Sequence, residues 1–488
     1  MDTRISIAEL MTRSGVSFGT SGARGLAEAM TDVVCYAYTA AFLQHLRQLG
    51  ECRPGDRVAL AGDLRPSTPR ILAACAAAIA EGGCVPVHCG AIPTPAVANW
   101  ALREGIASLM VTGSHIPDDR NGIKFYRPGG EILKPDEEAI RAQSVSIKGQ
   151  RFGPAGTLVA PTPPVASGAA HRAYVQRYVD FFPPACLKGR RVAVYEHSTV
   201  AREAYAEVLA ALGAEVVPLG RADRFVPVDT EAIRAEDIAL ARRWAVEVGF
   251  DAIVSADGDG DRPLVGDERG AWLRGDVAGI HTARYLGADT VVTPVSSNTA
   301  LERSGWFPAT VRTRIGSPFV IAGMQQATGR CVVGYEANGG FLTQSEITRD
   351  GRRLPALPTR DALIVALSVL GLAAERGVAV SGLAALLPPR YTASDRLKEF
   401  PTAIAQQRIA GLTSGGPAAI EAAFSQLGPV RETDQTDGLR IGFAAGDIVH
   451  LRPSGNAPEL RCYVEADSEQ RAAAVLGGCL RILERWRA

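Results

Sequence analysis

The chain has 488 residues and no formal net charge, because 52 lysine and arginine residues balance 52 aspartate and glutamate residues. By the usual domain size, a chain of this length divides into about three or four domains with a large combined core. The balanced charge argues against a nucleic-acid-binding or membrane-surface protein. We therefore expect neither partner, and any phosphate-binding site must be local.

The nine cysteines and the apolar runs indicate a soluble cytoplasmic protein. The cysteines show no paired Cys-x-x-Cys spacing, so we interpret them as small core residues in a reducing environment. Residues 1–15 lack the apolar segment of a signal peptide. The longest apolar run, residues 362–374, is shorter than the ~18 residues of a membrane-spanning helix.

The first part of the chain begins with a glycine-rich stretch and continues as a βαβαβ alternation. Residues 18–25 are either a flexible approach to the first helix or a backbone cradle in which Arg24 contacts phosphate. The alternation predicts a mainly parallel sheet with right-handed crossovers. Its elements are strands at 58–61, 85–88 and 106–111 with helices at about 69–80 and 94–103, followed by a linker at 154–169.

The alternation then restarts twice, and the composition changes after Pro388-Pro389. Three α/β units of similar length indicate an internally repeated architecture. The last part predicts an α+β domain, with a helix packed on an antiparallel sheet. The second unit has helices at 171–182, 202–212 and 230–248 and strands at 191–195, 214–218 and 250–255; the third runs from about 275 to an apolar helix from 360; the last has strands at 438–443, 447–451 and 460–465 and a helix at 468–486.

Residues 110–126, Met-Val-Thr-Gly-Ser-His-Ile-Pro-Asp-Asp-Arg-Asn-Gly-Ile-Lys-Phe-Tyr, form the loop on which the interpretation centres. Strand ends that feed polar loops carry the reactive groups of open α/β sheets. We expect Ser114 and His115 to pack with the two carboxylates of the turn, Asp118 and Asp119, while a second strand returns Lys124 towards the serine. The alternative is an ordinary surface turn. We interpret Ser114 as the residue that carries the chemistry.

A second loop, residues 255–265, alternates aspartates with glycines. Asp257, Asp259 and Asp261 point to one side of an extended segment, and three carboxylates with room for water and phosphate oxygens suit Mg²⁺. An EF-hand is excluded because Arg262 stands where that loop needs glycine and because a strand precedes the loop. A plain acidic turn remains the alternative. Arg262, beside the metal, would contact another anionic oxygen.

Two further polar loops have both a functional and an ordinary interpretation. In residues 334–341, Glu336 and an amide at Asn338 are able to bind adjacent sugar hydroxyls, or the segment is a glycine-rich turn. In residues 452–459, an arginine, a hydroxyl and backbone N–H groups form an anion nest, or the segment is a hairpin turn. The residues of this nest are Arg452, Ser454, Gly455 and Asn456, with Arg461 just beyond.

Taken together and in this order, the four loops resemble those of the α-D-phosphohexomutase superfamily over essentially the whole chain. The family's phosphoserine loop, Thr-Ala-Ser-His-Asn-Pro, resembles residues 112–117, and its metal loop, the most specific signal, matches residues 257–262. Its sugar loop resembles residues 336–339 and its phosphate loop residues 452–456. Segments 121–125, 313–316 and 334–340 look most like the bacterial phosphomannomutase group.

The resemblance implies an α/β fold of four domains around a central cleft, three similar mixed α/β domains and a C-terminal α+β domain. We expect their limits at residues 1–160, 161–270, 271–386 and 387–488. The implied reaction interconverts mannose 6-phosphate and mannose 1-phosphate through phosphorylated Ser114 and a hexose bisphosphate intermediate. The implied cofactors are Mg²⁺ and a hexose 1,6-bisphosphate activator, the partner is a hexose phosphate, and the enzyme is a monomer or homodimer.

The same resemblance implies a role for each site residue. Mg²⁺ would bind Ser114 with Asp257, Asp259 and Asp261. His115 and Lys124 would serve proton transfer or oxygen stabilisation, and Arg24 and Arg262 would neutralise charge. The substrate would be held by Glu336, Asn338, Gly339, Arg452, Ser454, Gly455, Asn456 and Arg461.

Three departures from the family pattern stand out. Many relatives have Glu-x-Ser-Gly-His in the sugar loop, where this chain has Asn338 and Gly340, so a candidate acid/base histidine is missing. In the phosphate loop, Asn456 and Ala457 replace the usual threonine and glutamate. Ile116 replaces the usual asparagine after the histidine.

The alternatives to a phosphomannomutase concern the sugar and the reaction. Glucose or glucosamine phosphates are the alternative substrates. A catalytically idle sugar-phosphate-binding protein and a metal-dependent phosphatase are the alternative classes, and the retained Ser114, Lys124 and aspartates argue against the idle protein.

Overall fold

The structure is a computed structural model that describes residues 2–19, 22–148, 151–153, 155–159, 165–454 and 458–487. Three α/β units and a C-terminal α+β unit follow one another along the chain, as the sequence predicts. Part of the predicted linker, at 154 and 160–164, and the phosphate-loop residues Gly455, Asn456 and Ala457 lie outside the described residues.

The first unit contains the predicted βαβαβ alternation and an N-terminal strand and helix that the sequence analysis missed. Its elements are β1 (Asp2–Ser6), α1 (Ile7–Ser14), β2 (Ser17–Phe18), β3 (Ala23–Leu26), α2 (Asp32–Gln48), β4 (Arg57–Gly62), α3 (Thr68–Glu81), β5 (Val85–His88), α4 (Thr94–Glu104), β6 (Ala107–Val111), β7 (Arg120–Arg127), β8 (Gly130–Glu131), α5 (Lys134–Arg141) and β9 (Ser144–Lys148).

The sheet of this unit is mixed rather than mainly parallel. Its strand order is β2-β3-β7-β6-β4-β5, and only β4, β5 and β6 run parallel. The serine loop returns the chain directly beside β6, and such a direct return produces an antiparallel neighbour, whereas a parallel neighbour needs a helical crossover. Strand β7 therefore pairs antiparallel with β6 and continues into β3.

The second unit repeats the same connection with shorter elements. Its sheet order is β11-β10-β12-β13, in which the acidic loop joins parallel β12 to antiparallel β13. The predicted helix at 230–248 begins later, at Ala235, and the segment before it has no helical structure. The elements are α6 (Ala169–Phe181), β10 (Arg191–Tyr195), α7 (Arg202–Ala211), β11 (Glu215–Leu219), α8 (Ala235–Glu247), β12 (Ala252–Ala256) and β13 (Pro263–Gly266).

The third unit has the same arrangement again, with an additional hairpin. Its sheet order is β15-β14-β16-β17-β20, and the sugar loop joins parallel β16 to antiparallel β17. The elements are α9 (Gly275–Leu286), β14 (Thr290–Pro294), α10 (Ala300–Arg303), β15 (Ala309–Thr313), α11 (Ser317–Gln326), β16 (Val332–Tyr335), β17 (Phe341–Thr343), β18 (Ile347–Arg349), β19 (Arg352–Leu354), β20 (Leu357–Asp361) and α12 (Ala362–Arg376), with a 3₁₀ helix at Val380–Leu386.

The three sheets confirm the predicted internal repetition. The orders β5-β4-β6-β7, β11-β10-β12-β13 and β15-β14-β16-β17 are equivalent, with three parallel strands followed by one antiparallel strand. In each unit the same junction, between the last parallel strand and its antiparallel neighbour, carries one of the polar loops. The loops that the sequence analysis selected therefore occupy one repeated structural position.

The C-terminal unit is an antiparallel sheet covered by helices, as predicted. Its strand order is β21-β25-β24-β23-β22. The long helix α13 bends at Gly416, whose φ of +64° interrupts the helix before Pro417. The elements are β21 (Tyr391–Leu397), α13 (Thr402–Ala423), β22 (Val430–Asp434), β23 (Leu439–Phe443), β24 (Ile448–Pro453), β25 (Leu460–Ala466) and α14 (Glu469–Glu484), with 3₁₀ turns at Ser425–Leu427 and Arg485–Arg487.

One large apolar core runs through the second and third units and reaches into the first. Helix α12 contributes most of its length to this core, which explains its continuous apolar sequence. All nine cysteines are free, and most are buried. Within the described ranges no single helix is long and apolar enough to cross a membrane; α12 and the following 3₁₀ helix meet that test only as a pair bent by 80°.

Candidate functional site

Ser114 lies three residues after the end of β6 and has an unfavourable backbone conformation. Its φ is +57°, in the left-handed region, which costs a non-glycine residue about 1–2 kcal/mol. Its N–H donates to Oγ1 of Thr112 over 2.8 Å, and its Oγ lies 3.4 Å from Nδ1 of His115. The hydroxyl donates to Oδ2 of Asp257 over 2.5 Å. The serine is therefore held facing the acidic loop of the second unit.

Arg65 binds backbone carbonyl groups of the serine loop and was missed by the sequence analysis. Its guanidinium donates to four carbonyl oxygens of the loop, those of residues 114, 116, 117 and 120, at 2.6–2.9 Å. Its Nε donates to Asp63 over 2.9 Å, and Asp63 also accepts from Thr112. A carboxylate and an arginine after a predicted strand, Asp63-x-Arg65, are the sequence signal that would have indicated this support.

The two carboxylates of the turn do not pack with Ser114, so this expectation is wrong. Asp118 and Asp119 are exposed, because the carbonyl groups of their loop turn inward to Arg65 and the side chains turn outward. The carboxylate beside the serine is instead Asp257, which is distant in sequence. The prediction relied on carboxylates close to Ser114 in the sequence, whereas the carboxylate that contacts Ser114 comes from another unit.

The acidic loop brings three carboxylates close together. The ligand atoms of Asp257, Asp259 and Asp261 lie within 4.8 Å of one another, and all three side chains are fully buried. Oδ1 of Asp259 and Oδ1 of Asp261 are buried without a hydrogen-bond partner. A bound cation would compensate buried carboxylate oxygens that lack a donor, so this donor set suits a hard divalent metal ion.

The charges around this triad act on it in opposite directions. Burial raises the pKa of Asp257, and the neighbouring carboxylates raise it further. Burial also opposes ionisation of Asp261, but Arg360, Lys124 and Arg262 outweigh it and hold its pKa well below the usual range. A cation at this position would relieve the carboxylate repulsion that raises the pKa of Asp257.

Lys124 reaches the site from β7, where it pairs with Met110 of the strand that leads to the serine. Its Nζ donates to Oδ2 of Asp259 over 2.6 Å and to Oδ2 of Asp261 over 2.5 Å. Burial alone would lower the pKa of Lys124, but these two carboxylates raise it. The lysine therefore remains a cation next to the metal loop.

His115 and Arg24 lie on the same side of the site. Burial and the nearby Arg262 lower the pKa of His115 to about 3, so the imidazole is neutral at physiological pH. Burial and Arg262 also lower the pKa of Arg24, to about 10, which leaves the guanidinium charged. Asp229 partly offsets these effects on His115. The side chains around Ser114 thus combine fixed positive charge with one neutral imidazole.

The sugar loop is closed by its own backbone and by the second unit. The N–H of Glu336 donates to the carbonyl of Gly340 over 3.0 Å, and that of Gly340 donates to Oδ1 of Asn338 over 3.0 Å. Thr230 Oγ1 donates to the carbonyl of Asn338 over 2.8 Å. Gly339 has a φ of +89°, which explains a glycine there. The oxygen of Asn338 is therefore used within the loop, which leaves its amide N–H groups for a ligand.

The phosphate loop meets the third unit through Asp437. Nε of Arg452 lies 2.8 Å from Oδ2 of Asp437, which also accepts from the backbone N–H of Ile315 over 3.0 Å. The N–H of Ser454 donates to the carbonyl of Glu459, and Arg461 lies 3.5 Å from the Glu459 carboxylate. The predicted contributions of Gly455 and Asn456 lie outside the described residues.

All four units meet at one cleft of about 600 Å³. Among the described residues, its lining has eight cationic and four acidic side chains, so it favours an anionic ligand. Arg360, Asp229 and Glu231 also line it and were missed by the sequence analysis; Arg360 lies two residues before the apolar run at 362–374. The predicted site residues that line this cleft are Arg24, Ser114, His115, Lys124, Arg262, Glu336, Asn338, Arg452, Ser454 and Arg461.

This fold and site define a multidomain α/β protein of the phosphohexomutase architecture. Models of the phosphoglucomutase/phosphomannomutase family match three regions: alpha/beta/alpha domain I at residues 15–151, alpha/beta/alpha domain III at 274–391 and the C-terminal domain at 405–477. The chain is 44% identical to a phosphomannomutase of Sinorhizobium fredii, over 96% of this chain and 99% of the relative.

A second relative and a solved structure agree with this assignment. A phosphomannomutase of Salmonella muenchen is also 44% identical, over 96% of this chain and 95% of its own. A phosphoglucomutase/phosphomannomutase family protein of Burkholderia thailandensis has the same fold, with a TM-score of 0.71, 20% identity and coverage of 96% and 97% of the two chains. The chain belongs to the phosphoglucomutase/phosphomannomutase family.

Proposed function

We propose that this protein is a Mg²⁺-dependent phosphomannomutase that interconverts mannose 6-phosphate and mannose 1-phosphate. The observation that carries the proposal is the Ser114 hydroxyl, which lines a cationic cleft and donates a hydrogen bond to Asp257 of the buried aspartate triad. A hydroxyl beside a divalent-cation site and surrounded by positive charge is the arrangement that phosphoryl transfer requires.

The proposed reaction has two phosphoryl transfers. Phosphorylated Ser114 gives its phosphoryl group to the free hydroxyl of the hexose phosphate, which loses a proton. The bisphosphate reorients in the cleft. The serine hydroxyl then takes the other phosphoryl group and loses a proton, and the sugar oxygen that releases this group gains a proton. Each transfer breaks one P–O bond and forms another, so the phosphoenzyme is restored and the product is the isomeric monophosphate.

The residues around Ser114 provide charge and positioning for these transfers. Asp257, Asp259 and Asp261 would hold Mg²⁺ together with an oxygen on Ser114, and the ion would polarise the transferring phosphoryl group. Lys124, fixed as a cation by two of the aspartates, stabilises the developing negative charge. Neutral His115 hydrogen-bonds the reacting oxygens. Arg24 and Arg262 neutralise the phosphate oxygens.

The two outer loops bind the part of the substrate that does not react. Glu336 accepts from sugar hydroxyls, while the Asn338 amide and the backbone at Gly339 complete that contact. Arg452, Ser454 and Arg461, with Gly455 and Asn456, hold the second phosphate. A cleft with a phosphate subsite at each end would retain the bisphosphate intermediate during reorientation, and a hexose 1,6-bisphosphate would activate the enzyme by phosphorylating Ser114.

The choice of mannose rests on the relatives. The two that are 44% identical are named phosphomannomutases, whereas those named phosphoglucosamine mutases are 26–31% identical. We also propose that the chain has four domains with the limits expected from the sequence. We propose that its partner is a hexose phosphate and that the enzyme is a monomer or homodimer.

The test is coupled turnover of mannose 1-phosphate, glucose 1-phosphate and glucosamine 1-phosphate, measured side by side with Mg²⁺ and a trace of hexose bisphosphate. We expect mannose 1-phosphate to isomerise fastest and EDTA to stop the reaction. Faster turnover of another sugar would replace the substrate assignment. Inorganic phosphate as the main product would indicate a phosphatase. Binding of the sugar phosphates without turnover would indicate an idle binding protein and overturn the proposal.

A further inference from the structure

Arg360 joins the metal loop of the second unit to the sugar loop of the third. It is the penultimate residue of β20 and is almost fully buried, with 4% of the residue exposed, yet it lines the cleft. Nε and Nη2 donate to Oδ2 of Asp261 over 3.0 and 2.8 Å. Nη1 donates to Oε2 of Glu336 over 3.2 Å and to Oγ of Ser317 over 3.0 Å. One planar cation therefore fixes two carboxylates from different units.

Gly340 provides the space through which this side chain passes. A Cβ atom at position 340 would lie 2.5 Å from Cδ of Arg360 and 2.8 Å from its Cγ, distances at which one of the two residues must move. No left-handed φ explains the glycine, since Gly340 is absent from the positive-φ positions of the described chain. The close approach of Arg360 is therefore the reason that position 340 lacks a side chain.

The same contacts determine where the Glu336 carboxylate points. The backbone of residues 336–340 is closed by a hydrogen bond from Glu336 to Gly340, so Arg360 packs on one end of the loop and ion-pairs with the side chain at the other. Both carboxylates hold the pKa of Arg360 above its usual range despite burial. The guanidinium stays charged, so it orients and neutralises but does not transfer protons at physiological pH.

We propose that Arg360 is a positioning residue for the sugar: it holds Glu336 towards the substrate hydroxyls and couples that carboxylate to the metal loop through Asp261, in space that Gly340 leaves open. This inference rests on the proposed function. Its consequence is that Arg360 and Gly340 act as a pair, so that a side chain at position 340 harms the protein by displacing the arginine.

The first experiment replaces Arg360 conservatively. Lysine keeps the charge but cannot contact Asp261, Glu336 and Ser317 together, so Arg360→Lys should raise KM for the hexose phosphate about tenfold, since a hydrogen bond to a charged group is worth roughly that factor or more. We expect a smaller change in kcat and a melting temperature close to wild type. A KM that equals the wild-type value would overturn the proposal, as would a loss confined to the melting temperature.

The second experiment is a double-mutant cycle of Gly340→Ala and Arg360→Ala. Gly340→Ala alone should raise KM several-fold, and in the Arg360→Ala background it should have little further effect. Additive losses would show that the two positions act independently and would overturn the pairing. Gly129→Ala is the matched control, because a Cβ atom there meets no neighbouring atom within 4 Å.

A binding measurement separates this inference from the proposed function. If the wild-type protein bound mannose 1-phosphate without turning it over, the proposed function would fail, but calorimetric titration of mannose 1-phosphate into wild type, Arg360→Lys and Gly340→Ala would still test Arg360. Equal affinities in wild type and Arg360→Lys would then overturn the positioning role. A parallel loss of affinity in Arg360→Lys and Gly340→Ala would support it.

Discussion

The hydroxyl of Ser114 and the carboxylate of Asp257 belong to different α/β units and lie 2.5 Å apart. The backbone of Gly258 approaches the carbonyl of Ser114 so closely that a Cβ atom at position 258 would lie 2.9 Å from it. The Ser114 hydroxyl and the aspartate triad are thus held together by contacts of the protein alone. Such pre-organisation reduces the structural rearrangement that the transition state requires.

Ser114→Ala removes the proposed phosphoryl acceptor but leaves the cationic cleft intact. We expect isomerisation to fall by on the order of a thousandfold or more, and binding of mannose 1-phosphate to remain. Isotope transfer from labelled hexose bisphosphate to the protein, followed beside turnover, is the measurement. Ser146→Ala, at an exposed position of β9, is the control and should take up label at Ser114 normally. Undiminished turnover by Ser114→Ala would remove the central claim.

Asp259→Asn removes one of the three proposed metal ligands. Asp259 has one oxygen on Lys124 and Thr94 and the other without a partner, so an amide there weakens cation binding and places N–H groups in the site. We expect kcat to fall roughly a hundredfold or more, with only partial recovery at high Mg²⁺. Titration of turnover with Mg²⁺ measures this. Asp118→Asn, an exposed carboxylate of the serine loop, should match wild type; an equal loss in both variants would contradict the assignment.

The repeated α/β pattern and the position of the polar loops could be predicted because both depend on local sequence. Strand Ala107–Val111 and helix Thr94–Glu104 differ from their predicted limits by one residue at one end. The antiparallel partners were not predicted in the same way, because the polar loop before β7 or β13 does not show from its sequence that the chain returns directly beside the strand it has just left. A run of apolar residues does not show which neighbouring strand it will pair with.

The site shows the same division between local and long-range information. The aspartate spacing at 257, 259 and 261 could be read directly, and the structure brings these residues together. Arg360 could not be identified as a site residue from the sequence, because its partner Asp261 is 99 residues away. Arg65 was missed although Asp63, two residues before it, gave a local signal, because the loop carbonyl of Ser114 that it binds is 49 residues away. Gly340 was noted as a departure from the family pattern, but its reason is a contact with a side chain twenty residues further on.

Gly113→Ala tests the support that Arg65 gives to the serine loop. A Cβ atom at position 113 would lie 2.5 Å from Cζ of Arg65, whose guanidinium is fixed by four loop carbonyl groups. We expect the substitution to destabilise the protein by about 1–3 kcal/mol, the usual cost of overpacking, and to lower kcat more than it raises KM. Thermal unfolding and steady-state turnover measure the two effects, with Gly129→Ala as the control. Wild-type kcat would contradict the proposed support.

We predict that burial of His281, which does not line the cleft, makes the stability of the protein depend on pH. This residue lies on α9, is fully buried, and has no hydrogen-bond partner on either ring nitrogen. Its ring lies 6.2 Å from that of Trp306, centroid to centroid. Burial lowers its pKa from 6.5 to about 4, because the apolar core does not solvate an imidazolium. The unfolded chain therefore binds a proton between these two values while the folded protein does not.

The free energy of unfolding should therefore have no penalty from His281 above pH 6.5. As the pH drops from 6.5 towards 4, this residue should lower the free energy of unfolding by up to about 3 kcal/mol. His281→Leu cannot take up the proton, so its melting temperature should decrease less between pH 6.5 and 4.5 than that of wild type, whatever its value at pH 7.5. Differential scanning calorimetry across this range is the measurement. His171→Gln, at a surface ion pair with Glu207, is the control for removing a histidine outside the core. Parallel pH profiles for wild type and His281→Leu would show that protonation of this side chain does not contribute, and acid destabilisation would then belong to other groups.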